Sequence, residues 1–327
     1  MGNEQKKNQN YDAYLSWRIA GKCNLSCEYC YNHPSERAKP SIRHFLREIE
    51  RRRERISQVG IFGLIKALVL RIKEKKIRTS MIDIPALLNT LDKTNKIFRI
   101  TLSGGGEPFL IKNIITLCVE ITKKHYLSIN TNLTSKKIEE FCDKIDPQRV
   151  IKIHASLHIK ELERLNLLDV FAHNFLLCKE KGFNIEVRAV AYPKLFNEAD
   201  KYRELFKKKG MEFTFDRFRG IYNGKEYPAA YTEQELAAFN IKHDALLDML
   251  LCSKGTMCNA GYNAAVVWAN GYVMSCGNIP EKLGHIYKGI RFKNSLIKCP
   301  IMHCGCPLKV YDTYLYEKAL KENKISV

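Results

Sequence analysis

The chain has 327 residues, 45% hydrophobic and 27% charged, with 54 Lys and Arg against 35 Asp and Glu and a formal charge of +19. That length buries a substantial core and fits one barrel with a small appendix, while no apolar run is long enough to span a bilayer and the polar start Met1 to Lys7 lacks the core of a signal peptide. A cytoplasmic location is therefore expected, the 12 cysteines read as reduced metal ligands rather than disulfides, and the charge favours anionic partners.

The first predicted strand, Leu15 to Ile19, delivers a loop carrying Cys23, Cys27 and Cys30 in Cys-x-x-x-Cys-x-x-Cys spacing. Thiolates are soft ligands suited to iron–sulfur chemistry, and three on one loop hold three corners of a cubane and leave one metal position open. The alternative is a zinc loop, but structural zinc sites usually pair two-residue chelates and close all four positions. Residues from about 40 to 94 exceed what one crossover helix needs, so a helical insertion is expected there. It begins with the basic run Arg47 to Arg55 and turns apolar from Ile61 to Ile72, a pattern that packs on the barrel, lies on a membrane surface or grips a polyanion.

A second strand, Phe98 to Leu102, ends in Ser103-Gly104-Gly105-Gly106-Glu107-Pro108. Glycines without Cβ let the backbone come close to a ligand, and a carboxylate offsets an ammonium. The cysteine loop and this turn together resemble the radical SAM superfamily. The resemblance implies a [4Fe-4S] cluster on Cys23, Cys27 and Cys30, with S-adenosylmethionine on its open iron. In such enzymes the Gly-Gly-Glu turn, here Gly105, Gly106 and Glu107, holds the methionyl amino group, and an aromatic at the position of Tyr29 lies against adenine.

Helix and strand patterns then alternate: helix Ile111 to Lys124, strand Tyr126 to Asn130, helix Lys136 to Ile145, strand Val150 to Leu157, helix Lys160 to Lys181, strand Ile185 to Ala191, helix Asn197 to Lys208 and strand Glu212 to Phe218. The expected fold is α/β, a partial six-stranded TIM-type (β/α)6 barrel over residues 1–220. Short apolar runs suit its buried parallel strands. By resemblance, Asn132, Ser156 and Arg188 at strand ends match cofactor positions: Asn and Ser for ribose hydroxyls, Arg as a fork for the methionyl carboxylate. The glycine that usually follows the Asn is Leu133 here. His158, Asp216, Arg217 and Arg219 are general-base candidates by position, and Cys118, Cys142 and Cys178 read as core residues.

The Gly-, Asn-, Tyr- and Pro-rich segment Gly220 to Tyr231 marks a boundary before helix Glu233 to Leu251 and a C-terminal domain over 221–327. Two β runs around Asn270-Gly271, from Ala265 to Met274, are a hairpin signal and bring Cys258 and Cys276 together. Cys258, Gly271 and Cys276, with Cys252 before them and Cys299, Cys304 and Cys306 after, resemble the SPASM and twitch extensions of radical SAM enzymes. That implies one or two auxiliary iron–sulfur clusters on these six cysteines; a zinc knot is the alternative.

The resemblance implies reductive cleavage of S-adenosylmethionine to a 5′-deoxyadenosyl radical that removes hydrogen from substrate, powered by an external one-electron reductant such as flavodoxin or ferredoxin. Peptide or protein modification (crosslinking, oxidation or epimerisation) is the first expectation, with a leader-binding module supplied by another protein. Dehydrogenation or epimerisation of a sugar, aminocyclitol or nucleotide-linked metabolite is the second, and the basic charge favours an anionic small molecule as the substrate on that reading. An RNA-modifying or nucleic-acid-binding iron–sulfur protein is the third, disfavoured because aromatics do not interleave the basic run.

Overall fold

The computed structural model describes residues 10–30, 81–242, 254–279, 281–301 and 312–324. Most of the expected 40–94 insertion and Cys252, Cys304 and Cys306 lie outside the described residues. Within the former, only helix α1, Ile84–Asp92, is described. It is capped by Asp83, which accepts the Ala86 N–H, and opened by a proline in its first turn.

Six strands alternate with helices as a partial barrel: β1 Ala13–Arg18, β2 Phe98–Ser103, β3 Tyr126–Thr131, β4 Val150–Leu157, β5 Ile185–Ala191 and β6 Thr214–Arg217. Each pairs in parallel with the next. The intervening helices are α2 Ile114–Thr122, α3 Lys137–Lys144, α4 Ile159–Arg164, α5 Leu168–Glu180 and α6 Ala199–Lys208. The single helix expected over 160–181 is two, because Asn166 adopts a left-handed φ of 56° that ends α4.

The outward face of the strands (Leu15, Ile100, Leu102, Ile129, Ile153, Val187, Ala189) and the helices' apolar faces (Leu87, Leu117, Phe141, Phe171, Phe206) share one buried cluster, which includes Cys118, Cys142 and Cys178. Those three are core residues, as expected. The opposite, luminal face is polar on most strands, so the strand runs are only half apolar in space.

Beyond β6 come the small hairpin β7 Gly220–Tyr222 and β8 Lys225–Tyr227, and helix α7, Glu233–Phe239, which carries a full capping box between Thr232 and Glu235. The Asn270-Gly271 hairpin forms with β10 Ala264–Val267 and β11 Tyr272–Met274, Gly271 taking φ 82°. Strand β10 runs parallel to β1, with Tyr14 opposite Ala264 and Trp17 opposite Val267. The order among the described residues is β13-β12-β11-β10-β1-β2-β3-β4-β5-β6, where β12 is Lys282–His285 and β13 is Gly289–Ile290. The C-terminal region therefore continues the barrel's own sheet.

A two-stranded ribbon, β9 Met257–Cys258 with β14 Ile297–Lys298, and the last helix α8, Thr313–Glu322, close the opposite end. Asp312 caps α8 through the Leu315 N–H and is wholly buried against Tyr11 and Arg99. No described helix is long and apolar enough to cross a membrane.

Candidate active site

The cysteine loop leaves the carboxyl end of β1, where a parallel barrel leaves backbone groups without strand partners. It is tied down on several sides. The Ser26 N–H donates to Glu161 Oε1 at 2.7 Å, which fixes it to α4. Asn24 links to β3's end: its Nδ2 donates to Thr134 Oγ1 at 2.9 Å, and its Oδ1 accepts Asn132 Nδ2 at 2.8 Å. The Tyr29 hydroxyl bonds His158 Nδ1 at 2.9 Å, and its ring packs 5.1 Å from Tyr192.

A further side is the glycine turn. A Cβ on Gly105 would stand 2.4 Å from the Ala20 carbonyl oxygen, and one on Gly106 only 1.9 Å from that of Lys22. The Glu107 N–H donates to the same Lys22 oxygen at 2.8 Å. These glycines let two backbones pack face to face, so the turn and the cysteine loop form one unit.

The Glu107 carboxylate is turned inward, 2% exposed, and accepts from Phe109 N–H at 3.1 Å, Thr131 Oγ1 at 2.8 Å and Asn132 N–H at 2.7 Å. Burial pushes its carboxyl up to about 7 against those hydrogen bonds. Asn132 is buried too: its side chain reaches Asn24 and lies 3.8 Å from Cys23 Sγ. Leu133 has a left-handed φ of 57°, a conformation that glycine adopts most easily. It is fully buried, and Asn174 Nδ2 holds its carbonyl at 2.8 Å, which offsets the strain.

Two of the three thiols are held in their protonated form by their surroundings. Burial raises Cys23 and Cys27, and the neighbouring sulfurs raise them further. Sulfurs packed together in this way need a positive centre to ionise, which a metal cluster supplies. Cys23 Sγ already accepts the Leu25 N–H at 3.4 Å, a bond that favours the thiolate. Among the described residues no three His, Cys, Asp or Glu side chains converge tightly enough to hold a single metal ion. The donor set, soft and spread along one loop, fits a cluster.

Ser156 and Arg188 face the lumen side by side on β4 and β5. The Arg188 fork is engaged by protein carboxylates: Nε donates to Glu186 at 2.8 Å and Nη1 to Asp216 at 2.9 Å. Of the general-base candidates, Asp216 is thus paired with Arg188. His158 is bonded to Tyr29, and burial lowers its pKa to about 4, so it is neutral at physiological pH. Arg217 is half-buried and Arg219 exposed.

The sequence reading missed Lys152, His154 and Glu186, which lie on the same luminal face. The signal was present as charged residues at every second position of strands otherwise read as apolar runs.

At the other end of the sheet, Cys258 and Cys299 are buried across the β9–β14 ribbon, and Cys276 follows β11. All three pack on one apolar cluster with Tyr11, Tyr14, Trp268 and Met274. Cys276 Sγ accepts the N–H groups of Asn278 at 3.3 Å and Ile279 at 3.1 Å, and Cys258 Sγ accepts that of Ala260 at 3.5 Å. Backbone N–H donors aimed at sulfur suit metal-bound thiolates.

No protein-family model matches the sequence, and no curated protein sequence matches it significantly. Solved structures do resemble it in shape. Native anSMEcpe with bound AdoMet is 18% identical, with a TM-score of 0.52 over 84% of this chain and 78% of that one. BtrN in complex with AdoMet and 2-DOIA is 15% identical (TM-score 0.37; 85% and 79% covered). SuiB of Streptococcus suis bound to S-adenosylmethionine is 16% identical (TM-score 0.41; 85% and 62% covered). The first establishes that this chain has the fold of a protein solved with AdoMet bound.

Proposed function

We propose that the chain is a radical SAM enzyme. One observation carries the reading: a three-cysteine loop and a Gly-Gly-Glu turn, 75 residues apart from Cys30 to Gly105, pack backbone to backbone at the carboxyl ends of β1 and β2, with Asn132, just past β3, reaching both. Cys23, Cys27 and Cys30 would hold a [4Fe-4S] cluster. When bound, that cluster with S-adenosylmethionine supplies a 5′-deoxyadenosyl radical that removes hydrogen from substrate.

The protein's part is to fix and shield. The glycine turn presents backbone carbonyls to a ligand ammonium, and Glu107 holds the turn rigid from behind. Tyr29, oriented by His158 and Tyr192, offers an aromatic wall to adenine. Ser156 and Arg188 offer a hydroxyl and the remaining guanidinium N–H groups to the ribose and carboxylate. Cys258, Cys276 and Cys299, with Cys252, Cys304 and Cys306 outside the described residues, would hold one or two auxiliary clusters as a SPASM- or twitch-type extension. An external one-electron donor, flavodoxin or ferredoxin in class, completes the reaction.

For the substrate, oxidative or crosslinking modification of a peptide is the first reading. A small polar metabolite is the second, favoured by the charged lumen around Glu186.

The test is anaerobic reconstitution with iron and sulfide, followed by S-adenosylmethionine and reductant. About eight irons per chain, falling to about four in a Cys23→Ala, Cys27→Ala, Cys30→Ala variant, with 5′-deoxyadenosine formed only by the wild type, is the expected result. No iron and no nucleoside in the wild type would sink the assignment.

A further inference from the structure

Two of the helices that cover the sheet carry cysteines that face each other. Helix α3 buries Ile138, Phe141 and Cys142, and helix α5 buries Phe171, Phe175 and Cys178. Where the two helices pack, Cys142 Sγ and Cys178 Sγ lie 3.5 Å apart and share a hydrogen bond. Core cysteines ordinarily serve as small hydrophobes, and Cys118 on α2, wholly buried, fits that use. A pair in contact has a chemistry that one cysteine lacks, because a two-electron oxidation joins the sulfurs with little movement of either helix.

The surroundings give the two sulfurs different roles. Cys178 is wholly buried, whereas Cys142 is 5% exposed at the edge of the helix pair. Just outside, Lys181 Nζ donates to Asp143 Oδ1 at 2.6 Å, which sets an ammonium near Cys142. The Cys178 S–H donated to its sulfur, with Lys181 in support, holds Cys142 below the ordinary thiol range against burial and the Asp143 charge. The same shared bond, and burial, keep Cys178 protonated. Cys142 is thus the nucleophile and Cys178 its resolving partner.

Helix α5 also reaches the candidate site. Asn174, one turn before Cys178 on the same face, donates from Nδ2 to the Leu133 carbonyl at 2.8 Å and to that of Ser135 at 3.5 Å. These carbonyls belong to the turn that leads from Asn132 into α3, where the Ser135 oxygen accepts the Ile138 N–H at 3.2 Å. Asn132 in turn reaches Asn24 of the cysteine loop. The spacing of α3 and α5 is therefore set at one end by the thiols and at the other by Asn174.

We propose that Cys142 and Cys178 form a redox site, in which a peroxide joins them as a disulfide and the altered α3–α5 spacing passes through Asn174 to the turn at 132–135. The site is independent of what the cysteine loop binds. In the first step the Cys142 sulfur attacks one peroxide oxygen: an S–O bond forms, the O–O bond breaks, and the leaving hydroxide takes the Cys142 proton as water. In the second, the Cys178 sulfur attacks the Cys142 sulfur: the S–S bond forms, the S–O bond breaks, and hydroxide leaves with the Cys178 proton as a second water. The two thiols lose two electrons and one peroxide gains them. An oxidant this small suits a sulfur that is only 5% exposed. The new bond draws the sulfurs together by about 1.5 Å. A disulfide in a chain whose cysteines are otherwise kept reduced is of the transient, sensing kind.

The test treats the anaerobically purified full chain with a stoichiometric amount of hydrogen peroxide, alkylates the remaining thiols in denaturant, and reads tryptic peptides by mass spectrometry without reduction. Cleavage after Lys137, Lys144, Arg164 and Lys179 leaves Cys142 in peptide 138–144 and Cys178 in peptide 165–179, each with that single cysteine. The expected product is these two peptides joined, in about half of the chains or more, and released by dithiothreitol, while Cys118 stays alkylated. Amide exchange over 131–135 should differ about threefold or more between the reduced and oxidised protein. In Cys142→Ala and Cys178→Ala the peroxide-dependent difference should vanish, which separates the disulfide from oxidation of the cysteine loop. Absence of the joined peptides in the wild type overturns the redox site, a measurement that does not depend on whether either variant folds. Joined peptides with unchanged exchange over 131–135, or a peroxide-dependent difference that persists in both variants, overturn the coupling to the turn.

Discussion

Glu107 Oε2 accepts the backbone N–H of Asn132 at 2.7 Å, so the carboxylate of the glycine turn is spent on holding the end of β3. Its other oxygen serves Thr131 and Phe109. Glu107→Ala strands three buried donors and should lower stability by about 2–4 kcal/mol. The midpoint of urea unfolding measures this. Iron retention should fall with it, since the turn positions the cysteine loop. An unchanged midpoint would show that the inward bonds do not hold the turn.

Gly106 has no room for even one carbon. With the Lys22 oxygen 1.9 Å from the ideal Cβ position, Gly106→Ala must push the cysteine loop off the turn. Reconstituted iron should drop by about four per chain. Iron analysis beside the wild type decides this, and full iron with full nucleoside formation would contradict the packing described here.

Asp312 joins the chain's two ends. It accepts both from the Tyr11 hydroxyl at 3.2 Å and from Arg99 at 3.4 Å, and it caps α8 through Leu315. Asp312→Ala removes the buried carboxylate that takes the Tyr11 hydroxyl, the Leu315 N–H and Arg99, leaving Arg99 its bond to Ser128 Oγ, and should cost about 2–4 kcal/mol. Amide exchange should rise first in α8. Protection in α8 equal to the wild type would mean the helix is held by packing alone.

His125 is buried, and its Nδ1 accepts the Phe98 N–H at 3.2 Å. Burial lowers its pKa from 6.5 to about 4, so the folded state holds the ring neutral while the unfolded chain protonates it. The contribution is complete above pH 6.5 and is lost as pH falls through that window toward 4, amounting to about 3 kcal/mol. In His125→Gln this slope should vanish. Unfolding free energies of both proteins from pH 7 to pH 4 give the difference directly.

Much of the fold is legible in local patterns. Short apolar runs separated by amphipathic helices announced the six parallel strands, because strands covered by helices must present apolar residues outward. The cysteine loop was legible because soft ligands at fixed spacing on one loop need no tertiary help to be adjacent. Asn270-Gly271 announced its hairpin because a tight turn is a property of two residues.

Pairings across the chain were not legible. Nothing within Ala264–Val267 says that it lies parallel to β1, which joins the C-terminal cysteine region to the barrel sheet. Leu133 looked like a departure from pattern, and only the backbone shows that a leucine has taken the left-handed φ a glycine would adopt. The inward turn of Glu107 and the convergence of Lys152, His154 and Arg188 on Glu186 were likewise decided in three dimensions. Sequence by itself determined which residue types and local conformations were available. Tertiary structure decided which of them meet, because such contacts depend on sheet register and loop closure between segments tens to hundreds of residues apart.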